Sequence, residues 1–182
     1  LPSTFQIFDS ADQLAMIKRI LKDLSVDEKK FPPRQVQWFI NNAKEAGLRS
    51  AYVTVDDAFS RRMLELYQAY EQQCQTEGAV DFAELMLRSY ELLSRNEVLR
   101  HHYQQRFQYI LVDEFQDVNR ASIRLLQAIA GGGENLWVVG DAKQSIYRFR
   151  GASSFNVARF GIQDFPGGQR GRLVTNYRST KE

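Results

Sequence analysis

The sequence predicts an α/β fold, a parallel sheet with helices preceded by a mostly helical subdomain. Three observations carry this. Three short apolar runs, Ile110-Leu111-Val112, Leu136-Trp137-Val138-Val139 and Arg172-Leu173-Val174-Thr175, each end in a polar cluster. They are separated by stretches that can hold a helix, the pattern of a parallel sheet with one working edge. The first two runs do not alternate apolar with polar, which predicts strands buried on both faces. Before about Phe107, apolar residues instead recur at helical spacing.

In chain order, Ser10 precedes Leu14, Ile17, Leu21 and Leu24 at helical period. Ser10 is therefore read as an N-cap, with Gln13 completing a capping box. Phe31-Pro32-Pro33 breaks this helix, and Pro33 suits the first turn of the next, where Val36, Phe39 and Ile40 repeat until Gly47. A long helix is expected from Asp57 to Thr76, with Met63, Leu66, Tyr67 and Tyr70 on one face and Gly78 as its stop. Asp81 caps another helix, with Glu84 as capping-box partner and Leu85, Leu87 and Leu92 following. Asp81-Phe82 reads as a cap plus a core anchor. Helical period gives way near Arg106-Phe107, the expected boundary between a helical part, 1–107, and a sheet part, 108–182. In the sheet part, Ser122 to Ala130 packs on the sheet through Ile123, Leu126, Ala128 and Ile129. Gly131-Gly132-Gly133 stops it, and Ser154 to Asp164 forms a helix or pair of turns closed by Pro166-Gly167-Gly168.

Composition bounds the class. With 182 residues, 43% hydrophobic and 25% charged, the chain can bury a real core as a globular protein. A net charge of +2 neither requires nor excludes nucleic acid, because a local basic strip suffices. The single cysteine, Cys74, cannot form an internal disulfide, which fits a reducing, cytoplasmic setting. It sits among Gln and Glu with no histidine nearby, and reads as structural. No long apolar span targets a membrane. No G-x-x-x-x-G-K-[ST] loop occurs, and the chain opens on Leu1. Both are expected of a piece of a longer protein.

The chemistry concentrates at the strand ends. Tyr109 to Asp117 reads Y-I-L-V-D-E-F-Q-D. Open α/β sheets bind ligands at the carboxyl ends of their strands. Of two adjacent carboxylates there, Asp113 can hold a hydrated magnesium ion and Glu114 can orient and deprotonate a water. Gln144 follows the second run and Arg178 the third. Tyr147-Arg148-Phe149-Arg150 alternates aromatic and basic side chains. In extended backbone that places two rings on one face and two cations on the other. Rings stack on bases for about 1–3 kcal/mol each, and arginines contact phosphates in a salt-dependent way. Phe149 is read as a base platform. Tyr147 divides between stacking and burial.

D-E-F-Q-D, G-D-A-K-Q-S-I-Y-R-F-R-G-A and N-Y-R-S, in this order, resemble motifs II, III and IV of the UvrD/Rep/PcrA-type superfamily 1 DNA helicases. The middle motif leans toward the wording of RecB and AddA. Val80-Asp81-Phe82 is similar to a V-D-F element of the same family. The resemblance implies a partial RecA-like (P-loop NTPase) sheet: 1–107 as the helical insertion subdomain 1B and 108–182 as the C-terminal half of RecA-like domain 1A. It implies ATP and Mg2+ as cofactors, and Asp113, Glu114, Gln144 and Arg178 as the hydrolytic set. Gln116 and Asp117 would couple the ATP site to motif III, with Gln116 also counted among the nucleotide-binding residues. Tyr147, Arg148, Phe149 and Arg150 would meet DNA. Phe149 stands where the family often has tryptophan, a larger platform. Asp141 is assigned to loop structure. The implied activity is ATP-driven 3′–5′ translocation on single-stranded DNA and unwinding at single-strand/duplex junctions, in repair, replication or recombination, by a parent whose phosphate loop and second RecA-like domain lie outside these residues. A different P-loop NTPase, or a non-enzymatic single-strand binder, are the alternatives. The second has no use for a γ-phosphate set.

Overall fold

The computed structural model describes residues 2–144 and 155–175, with the side chain of Phe155 excluded. Their elements run β1 (Gln6–Phe8), α1 (Ser10–Asp23), α2 (Pro33–Glu45), α3 (Ala58–Glu77), β2 (Ala79–Asp81), α4 (Phe82–Arg95), α5 (Glu97–Arg106), β3 (Ile110–Val112), α6 (Arg120–Ala130), β4 (Leu136–Val138) and α7 (Phe155–Arg159). The mixture of helices with small parallel sheets makes the fold α/β. Among the described residues each sheet has two strands: β1 beside β2, and β3 beside β4, with Leu111 opposite Trp137.

The first core is helical. Met16, Ile17, Ile20 and Leu21 of α1, Val36 and Ile40 of α2, and Met63, Leu66, Tyr67 and Tyr70 of α3 bury together, so the periodic faces of α2 and α3 are those expected. The start of α1 is not. Asp9, rather than Ser10, is the N-cap, and the capping box closes with Asp12. Its carboxylate accepts from the N–H groups of Ala11 and Asp12 at 2.7 and 2.9 Å. Charge-assisted acceptance of two amides outcompetes a hydroxyl, and the helix begins one residue earlier. Leu24 falls beyond the last turn and is exposed. Pro33 opens α2 at its first turn, and Gly78 closes α3 at φ +64°. The β1–β2 pair had no precursor in the helical reading, because three residues are too few to show a period.

In α4, Asp81 accepts the Glu84 N–H at 2.7 Å. The Glu84 side chain does not return to complete a box. It turns instead to Arg49, Arg88 and Lys44, since three cations outweigh one backbone amide. Leu87 and Leu93 bury while Leu92 is exposed, and Phe82 is no core anchor, being 64% exposed. Capping draws Asp81 inward, and the next residue points out.

Helix α4 also packs against α2 and α6. Arg124 of α6 donates to the carbonyl of Gly47 at 3.0 Å, with its guanidinium over the Tyr90 ring. Gln104 of α5 donates to Ala128 O at 2.8 Å. These bonds fasten the helical part to the second core, where Phe115, Ile123, Leu126, Leu136 and Phe165 bury against the inner faces of β3 and β4.

Two expectations about the sheet are corrected. Leu111 is 80% exposed and Trp137 70%, so the described residues cover β3 and β4 on one face only. Helix α6 and the 156–165 segment fill that side, and no described element lies on the other. Residues 171–175 form no strand, with Leu173 and Val174 exposed; without a neighbour to pair its backbone, an apolar run does not become a strand. No helix among the described residues is long and apolar enough to cross a membrane.

Candidate functional site

The site is built where β3 and β4 end. Val139 N–H donates to Val112 O at 2.8 Å, and Phe115 N–H donates to Val139 O at 2.9 Å. These bonds carry the strand pairing past the last apolar residues. Phe115 then drives its ring into the second core, edge-on to Phe160, and Gln116 is buried beside it. With both of these inward, Asp113 and Glu114 are left at the surface.

Glu114 adopts a left-handed conformation, φ 50° and ψ 42°. A non-glycine residue there costs on the order of 1–3 kcal/mol and persists only when its surroundings over-determine it. Three bonds do so. Asp113 Oδ1 accepts the Glu114 N–H at 2.9 Å. The following N–H is held on Val139 O. The Gln116 Nε2 donates to Glu114 Oε2 at 2.6 Å.

Gln116 is a bridge. Its other end, Oε1, accepts the Asp141 N–H at 2.9 Å. This requires the chain after β4 to pass directly over it, and Gly140 makes that possible: a Cβ there would lie 2.8 Å from Gln116 Oε1 and 3.2 Å from the amide nitrogens of Phe115 and Gln116. Beyond Asp141, residues Ala142–Gln144 form a 3-10 turn. Lys143 N–H donates to Asp141 Oδ1 at 2.9 Å and Gln144 Nε2 to Asp141 Oδ2 at 3.0 Å. The Gln144 amide and the Lys143 N–H hold the Asp141 carboxyl below its usual range.

Four of the expected site residues, Asp113, Glu114, Gln116 and Gln144, thus gather at one end of one sheet, joined by hydrogen bonds together with Asp141, which was expected to serve the loop. Asp117 lies on the same 3-10 turn as Gln116. Tyr147, Arg148, Phe149, Arg150 and Arg178 lie outside the described residues. The sequence reading missed Gly140. A lone glycine after a strand gives no hint of what crosses it, although strand-Gly-Asp is the available signal. Cys74 is buried, and burial pushes its thiol up to about 11, which suits a structural residue.

Asp113 keeps Oδ2 outside the bond to Glu114. A carboxylate so placed could hold a hard cation such as magnesium, which is bound through one or two carboxylates together with waters.

Fold and site together define an α/β chain with paired carboxylates at the carboxyl edge of parallel strands. Residues 1–166 match the UvrD/REP helicase N-terminal domain, and the chain belongs to that family of UvrD/Rep/PcrA-type superfamily 1 helicases. It is 45% identical over 181 residues to DNA helicase II of Escherichia coli (strain K12), covering 99% of this chain and 25% of that protein. Identity to DNA helicase II of Haemophilus influenzae is 47% over 181 residues, with the same coverage. Identity to the ATP-dependent DNA helicase PcrA of Bacillus subtilis is 40% over 179 residues, covering 97% of this chain and 24% of that protein. The chain spans about a quarter of the length of these relatives.

Proposed function

We propose that this chain is the carboxylate-bearing part of an ATP-dependent DNA helicase: a helical insertion over 1–107 and, over 108–182, the second half of a RecA-like domain. The observation that carries the reading is the polar series from Glu114 through Gln116 to Asp141 and Gln144. It joins the ends of two parallel strands, where an α/β sheet binds its ligand. Asp113 would hold Mg2+, which when bound neutralises charge on the β- and γ-phosphate oxygens. Glu114, exposed and held by Gln116, orients the attacking water and takes its proton. Gln144 donates to the γ-phosphate, and Arg178 supplies a bidentate cation to it. The loop that cradles the phosphates lies elsewhere in the longer polypeptide, so these residues alone do not hydrolyse ATP.

Tyr147 to Arg150 follow Gln144 after Ser145 and Ile146, so a phosphate contact and a base contact share one short segment. That proximity is the physical basis for coupling hydrolysis to strand movement. The substrate is single-stranded DNA and its junctions with duplex, and the place of action is the cytoplasm, at the nucleoid.

The test is ATPase activity of the full-length protein with and without single-stranded DNA, beside Glu114→Gln. Stimulation by DNA, lost by roughly 10²–10⁴-fold in the variant as for a general base, is the expected result. Activity indifferent to DNA would turn the reading toward another P-loop NTPase, and DNA binding without activity toward a binding module.

A further inference from the structure

Only one end of the Gln144 side chain suits a phosphate. The amide NH2 donates, whereas Oε1 accepts and would repel a phosphate oxygen. Asp141 makes the choice. The Gln144 Nε2 donates to Asp141 Oδ2 at 3.0 Å. An ionised carboxylate only accepts, so the amide is held with its nitrogen on this side. One N–H is taken by Asp141 and a second is left for another acceptor. Asp141 is itself pinned from behind. Its N–H rests on Gln116 Oε1, its Oδ1 accepts the Lys143 N–H, and its carbonyl accepts the Gln144 N–H at 3.0 Å.

We propose that Asp141 is a positioning residue that sets which end of the Gln144 amide is offered to the γ-phosphate. This rests on the reading of Gln144 as the phosphate-sensing amide. The choice extends to the base, because Gln116 is oriented by the same logic: its acceptor end meets the Asp141 N–H and its donor end meets Glu114. Two amides and one carboxylate therefore link the water-orienting group to the phosphate-reading group, and each link fixes the direction of the next.

Asp141→Asn separates this role from that of a loop brace. Asparagine keeps an oxygen for the Lys143 N–H, and hence the turn, but sets an NH2 where Oδ2 stood, which draws the Gln144 Oε1 and reverses the amide. In the full-length protein, Asp141→Asn should weaken equilibrium binding of a non-hydrolysable ATP analogue and raise KM for ATP, each by about five- to tenfold, the range for one lost hydrogen bond. The thermal midpoint should not move. Asp141→Glu, acceptor-only like the native residue, should bind the analogue more tightly than Asp141→Asn. The double variant with Gln144→Ala should bind no more weakly than Gln144→Ala alone. Unchanged analogue binding in Asp141→Asn overturns the proposal while leaving the ATP reading intact. So does a double variant whose loss is the product of the two single losses. If Gln144→Ala itself binds and hydrolyses ATP normally, the reading of Gln144 fails, and the proposal with it.

Discussion

Lys44 and Glu114 each carry a charge beside a hydrophobic core, yet the molecule treats them in opposite ways. Lys44 is 1% exposed, with Asp81 at 2.7 Å and Glu84 at 3.0 Å. Around it Tyr70 OH donates to Asp81 at 2.8 Å, and Arg49 binds Glu84 at 2.6 Å and Glu91 through two bonds at 2.8 Å. Helices α1 through Gln13, α2 through Lys44, α3 through Tyr70 and α4 through Glu84, with Asp81 of β2, all supply members of this network. Glu114 stands in water at a strand end, in a strained conformation, steadied by an amide rather than a cation. An amide brings no charge of its own to the carboxylate, whereas a cation would pair with it. The helical region uses charge to fix one structure, whereas the strand-end region leaves its carboxylates exposed.

The comparison breaks most visibly at Lys44. Replacing it by Ala leaves Asp81 buried without its cation, while Glu84 keeps Arg49 and Arg88, and removal of one partner from a buried pair costs about 3–5 kcal/mol. Urea unfolding followed by circular dichroism should show that loss. A change under 1 kcal/mol would mean that the network is wet and contributes little.

Acid titration sharpens the same contrast. Burial alone would raise Glu84, but Lys44 and Arg49 outweigh it and hold the carboxyl down to about 2. A group whose folded pKa is depressed stabilises above its unfolded value and loses that stabilisation as pH falls toward the folded one. Stability should therefore be flat above about pH 5 and fall between about pH 4.5 and 2, the window between the two values, by on the order of 3 kcal/mol. Glu84→Gln should flatten that stretch of the curve. An unchanged slope would assign the acid sensitivity to other carboxylates.

The third break lies in the strand-end region. Gly140→Ala sets a methyl 2.8 Å from Gln116 Oε1 and 3.2 Å from the Phe115 and Gln116 nitrogens, so the Gln116 amide must swing aside and the backbone must give. Overpacking of this kind costs about 1–3 kcal/mol. Its larger signature should be functional, because moving Asp141 off Gln116 loosens Glu114. DNA-stimulated ATPase of the full-length protein should fall further than stability does. A normal rate with the alanine in place would show that the bridge is not needed.

Much of this was legible beforehand, for identifiable reasons. Helix α3 announces itself with a capping Asp57, a four-residue apolar face and a glycine stop. The apolar run before Asp113 and the Gly-Asp after Val139 mark strand ends by abrupt change of polarity. Lys44 was illegible, because N-N-A-K-E at the end of an amphipathic helix looks like solvent-facing sequence, and only the tertiary approach of Asp81 and Arg49 draws it inward. Likewise Leu111 and Trp137 look buried in one dimension, since apolar character states what a face can bury and not whether anything arrives to cover it. Asp9 and Ser10 are both good caps by type, and the deciding factor, two amides converging on one carboxylate, is three-dimensional.

The uncovered face of β3 and β4 makes the sheet self-reporting. Trp137 lies across from Leu111 in the strand register, with Tyr109 and Val139 beside them, all open to solvent. An indole in water emits at longer wavelength than one in an apolar setting. Whatever segment or partner settles on this face must take Trp137 out of water, and once the other exposed tryptophan, Trp38, is replaced by Phe, the colour of its fluorescence records the docking without any label.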